Sequence, residues 1–162
     1  MDETDQKQIE EEILKNLYCL FFLKAGDHDL IKLSKSEKWD GSVFRKAVDD
    51  LRENNRIQPW GGMGRYAITS IGILAAEKIT ELNPELVADN RYVRDSILKK
   101  LKKLREDEGS RSFASIKQLG GEIKVKHLDI GRHLQILQEL KYVQEHGTDL
   151  VQITSMGLRF IG

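Results

Sequence analysis

One hexapeptide occurs twice. Ile68-Thr69-Ser70-Ile71-Gly72-Ile73 in the middle of the chain returns as Ile153-Thr154-Ser155-Met156-Gly157-Leu158 near its end. The residues before it also match. Leu51-Arg52-Glu53-Asn54-Asn55-Arg56-Ile57-Gln58 aligns with Leu137-Gln138-Glu139-Leu140-Lys141-Tyr142-Val143-Gln144, and further back Ile13-Leu14-Lys15-Asn16-Leu17 aligns with Ile97-Leu98-Lys99-Lys100-Leu101. Three matches in the same order indicate a duplicated unit of about 70 residues, the size of a small domain. The reading is therefore two domains, 8–82 and 91–162, behind an acidic tail over 1–7. Pro84 disfavours helix at Asn83 and places a linker at 83–90.

Each copy can be read by period. Ile9, Ile13, Leu14, Leu17 and Leu20, and again Val93, Ile97, Leu98, Leu101 and Leu104, recur at the spacing of an amphipathic helix. Leu30, Ile31 and Leu33 carry a short second helix, matched by Ile116 and Leu119. A third follows Asp40-Gly41-Ser42 or His127-Leu128-Asp129, both with good N-cap residues, and is striped by Phe44, Ala47, Val48 and Leu51 or by Ile130, Leu134 and Leu137. Two short strands come next, around Ile57 and Tyr66 to Ile68 in the first copy and at Tyr142 to Gln144 and Val151 to Ile153 in the second. Glycine and proline between them supply hairpin turns. Ile71 to Leu82 reads as a closing helix of copy one, its counterpart in copy two being absent or a stub. The expected class is mainly α with small β-hairpins (α+β).

The order helix, helix, helix, strand, loop, strand, helix resembles the winged helix-turn-helix superfamily. The strand ending in Ile-Thr ahead of a helix-opening Gly is similar to regulators of the MarR and related types. The resemblance implies two tandem winged helix-turn-helix domains and a DNA-reading geometry, the third helix in the major groove and the hairpin wing on backbone or minor groove. The residues it then nominates are Ser42, Arg45 and Lys46 on the first such helix and Trp60 and Arg65 on its wing. In the second copy they are Lys124, Lys126, His127, Arg132 and Gln135. Asp49 and Glu53 oppose the phosphates, as do the acids of the second wing, Glu145-His146-Gly147-Thr148-Asp149. Apolar Leu128 and Ile136 are expected near that reading face.

Charge bounds the function. The chain of 162 residues carries 26 basic and 26 acidic side chains, so it is no indiscriminate polyanion binder, and DNA contact must rest on local patches. The basic run from Arg91 to Arg105 reads foremost as a solvated helix face. Cys19 is the single cysteine, which excludes an internal disulfide and a Cys-based zinc site. His28, His127, His133 and His146 lack ligand spacing, and His133 takes the stripe position of Ala47, which implies packing. There is no catalytic triad order and no phosphate-cradling loop. The expectation is a soluble, cytoplasmic DNA-binding protein, a transcriptional regulator without enzymatic activity, cofactor, metal or membrane attachment. The alternative is a tandem winged-helix scaffold for protein–protein interaction without DNA binding, and the expected partners beside double-stranded DNA are a second copy of the chain, as a homodimer, or another protein.

Overall fold

The computed structural model describes residues 3–79, 81–124 and 129–162. They form mainly helices with two small antiparallel sheets, in two compact units, Met1–Leu82 and Asn83–Gly162.

Unit 1 runs α1 (Glu3–Leu23), α2 (Leu30–Ser36), α3 (Gly41–Glu53), β1 (Ile57–Pro59), β2 (Tyr66–Ile68) and α4 (Ser70–Ala76). Its core is the stripe the periodicity predicts, Ile13, Leu14 and Leu17 against Ala47, Val48 and Leu51, closed by Ile57, Ile68 and Ile73. Ile31 departs from the predicted stripe: it is exposed and lies against Gly64. β1 and β2 pair in the register Ile57 with Ile68.

Unit 2 runs α5 (Pro84–Glu108), β3 (Ala114–Ser115), α6 (Ile116–Glu122), α7 (Ile130–Glu139), β4 (Val143–His146), β5 (Leu150–Ile153) and α8 (Ser155–Ile161). Its core gathers Val93, Ile97, Leu98 and Leu101 from α5, with Leu134 and Leu137 from α7 and Val151 and Ile153 from β5. Each such side chain contributes about 1.5–3 kcal/mol by leaving water.

Four expectations need correction. The linker at 83–90 is instead the start of α5: Asn83 caps it by accepting from the Leu86 N–H, and Pro84 occupies its first turn, where no N–H is needed. The acidic tail is helical from Glu3 onward, and Gln6 ties it to α3 by donating to the Asp50 carboxylate. The closing helix of unit 1 stops at Ala76, with Glu77 as its C-cap, and the chain leaves it in tighter turns, the Lys78 N–H donating to Ala75 O and the Ile79 N–H to Ala76 O; the Glu77 carboxylate accepts from the buried Tyr18 hydroxyl at 2.8 Å. Its counterpart in unit 2 is no stub, since α8 and α4 each have 7 residues.

A pairing that periodicity does not announce lies between the first two helices of each unit, a short strand in unit 2 and an isolated bridge in unit 1. In unit 2, β3 pairs with β5, giving the order β3-β5-β4. In unit 1, Asp29 bridges to Arg65 just ahead of β2. Asp29 and Ser115 then serve as the N-caps of α2 and α6.

The repeated Ile-Thr-x-x-Gly motif closes both units in one way. The α3 and α7 helices end in left-handed turns at Asn55 (φ 57) and Lys141 (φ 66). There the Arg56 N–H returns to Leu51 O and the Tyr142 N–H to Leu137 O, each at 2.9 Å. The hydroxyls of Thr69 and Thr154 donate to the carbonyls of those turns. They also accept from the N–H groups of Gly72 and Gly157, capping the closing helices. Thr154→Val should therefore cost unit 2 about 1–2 kcal/mol in urea denaturation; an unchanged midpoint would show that the cap contributes nothing.

Candidate nucleic-acid interface

α3 starts at Asp40, whose carboxylate accepts from the N–H groups of Ser42 and Val43 and from the Ser42 hydroxyl at 2.7 Å. The Ser42 hydroxyl foremost, then those amides, hold the Asp40 carboxyl below its ordinary range. A negative charge thus already sits at the positive end of this helix. The Ser42 hydroxyl is engaged there, where it was expected to meet a phosphate.

Further along, Val43, Ala47, Val48 and Leu51 face inward, and 3.6-residue periodicity turns Arg45, Lys46, Asp49 and Glu53 to solvent. Among the described residues neither Arg45 nor Lys46 has an ion-pair partner.

The hairpin of unit 1 has a fixed base and an exposed tip. Trp60 stacks on His28 with ring centroids 3.9 Å apart, and the Arg65 guanidinium lies 5.1 Å from the Trp60 ring centre. The Trp60 N–H donates to Arg65 O and the Tyr66 N–H to His28 O, which joins the hairpin to the segment before α2. Gly61 (φ 76) and Gly64 (φ 77) take left-handed conformations that let the loop turn between them. Trp60 and Arg65 remain exposed, and Met63 at the tip is 95% exposed. Sequence reasoning missed Met63, because nothing in a glycine-flanked methionine states which way it points.

Unit 2 offers less. Lys124 is exposed, while Lys126 and His127 lie outside the described residues, as does Leu128. Arg132 donates from Nε to Asp129 at 3.0 Å, within the first turn of α7. Gln135 is exposed and donates to Glu139 at 3.3 Å. Ile136, expected near the reading face, is buried: α7 turns His133, Leu134, Ile136 and Leu137 inward, a wider face than that of α3. His146 sets its ring edge-on to Phe113 at 4.3 Å, which anchors this hairpin as the Trp60 and His28 pair anchors the first. Glu145 and Asp149 are exposed on it.

The basic run of α5 is partly consumed within its own unit. Lys100 pairs with Glu122 at 3.1 Å, Arg105 donates to Ile153 O, and Arg94 is buried. Among the described residues no group of three or more His, Cys, Asp or Glu could hold a metal ion, and no helix is long and apolar enough to cross a membrane. No protein-family model, curated protein or solved structure matches the chain.

Proposed function

We propose that the two units are winged-helix modules derived by duplication, and that the chain binds duplex DNA as a small cytoplasmic transcriptional regulator rather than as an enzyme. One observation carries this reading. Arg45 and Lys46 stand outward and without ion-pair partners among the described residues, on a helix whose other face is sealed into the core beside a hairpin that also carries Arg65. The bridge at Asp29 before α2 and the strand β3 before α6 support the module assignment, since each ties the hairpin to the rest of its unit. Unit 1 is the main reader in this proposal, because Arg132 already pairs with Asp129.

Titrating enriched and random duplex pools across a salt series tests it. Saturable binding is expected whose logarithm falls linearly with that of salt concentration. Arg45→Ala with Lys46→Ala should weaken binding more than about tenfold and lower the salt slope by about 2. Arg132→Ala should do less. A double variant that binds like the parent would show that α3 is not the reading helix. The second reading, a scaffold for protein partners, is favoured by the pairing of Arg132 and by the exposed acids of the second hairpin; under it no saturable duplex binding occurs even at low salt.

A further inference from the structure

The two units differ at one matched place where unit 2 supplies an aromatic ring and unit 1 leaves room for one. The Thr69 N–H donates to Arg56 O and the Thr154 N–H to Tyr142 O, both at 3.0 Å, so Arg56 and Tyr142 hold equivalent positions. An equal step along the chain from each threonine reaches Ala75 and Phe160. In unit 2 the Phe160 ring lies nearly flat on Tyr142, with centroids 4.5 Å apart and planes 17° from parallel. Unit 1 has a guanidinium and a methyl group in place of those rings, and Arg56 and Ala75 line a cavity of about 270 Å³.

The lining of that cavity is mixed. Leu14 and Ile79 join Ala75 as its apolar residues, while Lys7 and Lys78 add basic residues to the lining and Glu10 and Glu11 acidic ones. An apolar cavity of about 150 Å³ is enough for benzene, and drug-sized ligands need about 300 Å³ or more. The size therefore suits one ring with a small polar head. Charges of both signs around a single-ring space favour a zwitterion over a simple acid or amine.

We propose that this cavity binds a free aromatic amino acid, its ring over the Arg56 guanidinium in the place that Phe160 fills in unit 2. The ligand carboxylate meets Lys7 and Lys78, and its ammonium group meets Glu10 and Glu11. A ring over a guanidinium is a favourable cation–π arrangement. Burial first, and then the Asp50 charge, hold the Glu10 carboxyl above its ordinary range, so a cation arriving beside it offsets both. The site does not involve the DNA-reading face, and its test contains no DNA, so either proposal can fail alone.

The test is titration of the full chain with L-phenylalanine, followed by amide chemical shifts and calorimetry, with benzoate and phenethylamine as probes carrying one charge each. Saturable binding with Kd below about 1 mM is expected, with shifts centred on Leu14, Arg56, Ala75 and Ile79 and each single-charge probe weaker by about tenfold. Ala75→Phe, which copies unit 2, should abolish binding. Lys78→Glu, at an exposed position that keeps the fold intact, should weaken it by about tenfold. Absence of saturation up to about 10 mM, shifts centred elsewhere, or equal affinity for benzoate overturns the proposal. So does undiminished binding by Lys78→Glu or by a folded Ala75→Phe.

Discussion

Gly72→Ala is expected to destabilise unit 1 by about 3 kcal/mol or more, and Gly157→Ala to do the same to unit 2. A Cβ on Gly72 would stand 2.0 Å from the Arg56 carbonyl oxygen and 2.7 Å from Ile68 Cγ1. On Gly157 it would stand 2.2 Å from Tyr142 O and 2.7 Å from Ile153 Cγ1. Neither contact is relieved by a rotamer change alone. Each carbonyl is held by the Thr69 or Thr154 N–H, and the isoleucines at Ile68 and Ile153 are buried. The helix must therefore move off the hairpin, which opens the core beneath it. Helix propensity acts in the opposite direction, since alanine in an exposed helix is better than glycine by up to about 1 kcal/mol. Gly131 in α7 is exposed and its added Cβ would meet only an Asp129 oxygen at 3.5 Å, so Gly131→Ala should be neutral or slightly stabilising. Urea denaturation of the three variants measures the contrast. Equal stability of Gly72→Ala and Gly131→Ala would remove this explanation of the repeated motif.

That motif was legible in the sequence because its residues do jobs few others can. The threonine bonds two backbone groups at once, and the glycine lets a carbonyl come within the space of a side chain, so both recur, together with the isoleucine and serine beside the threonine, while the residues on either side of the glycine differ. The inward stripes of α1, α3, α5 and α7 were legible for a related reason, since burial imposes a period. The bridge before α2 and the strand before α6 were not. Asp29 alone and Ala114-Ser115 are too short to carry an alternation, and their pairing is decided by the distant hairpin. The end of α4 was hidden because Ile79 continues its apolar spacing past the point where Glu77 turns toward Tyr18. Pro84 disfavours helix at the residue before it, yet its ring also suits a first helical turn, and sequence alone does not separate the two. At the candidate site, the outward direction of Arg45 and Lys46 followed from helical spacing. The pairing of Arg132 with Asp129 was implicit in their separation of three residues, yet a local cap and a reading arginine look alike in sequence. Ile136 lies inside because α7 buries a wider face than α3, and what fills the space beside α7 is a property of the packed unit that spacing alone does not state.

His133 makes unit 2 sensitive to acid, and the expected loss is roughly 3 kcal/mol as pH falls from about 6.5 to about 4. The residue occupies the position of Ala47 in unit 1 and is 3% exposed. Burial, and secondarily the positive charge of Arg94, push its pKa down to about 4, while Asp129 pulls weakly the other way. An unfolded chain binds the proton near pH 6.5, so between those values the unfolded state holds more protons than the folded one and gains stability relative to it. Above about pH 6.5 both states are neutral at this residue and nothing is lost; below about pH 4 both are charged and the loss levels off. Carboxylates titrating elsewhere add their own acid dependence, and comparison with His133→Leu, which keeps an apolar group of similar size, subtracts it. Denaturant titrations at about pH 7.5 and about pH 4.5 should show the parent losing roughly 2.5 kcal/mol more than the variant. Parallel losses would mean that His133 accepts its proton inside the fold at no cost, and that its burial is not what sets its charge.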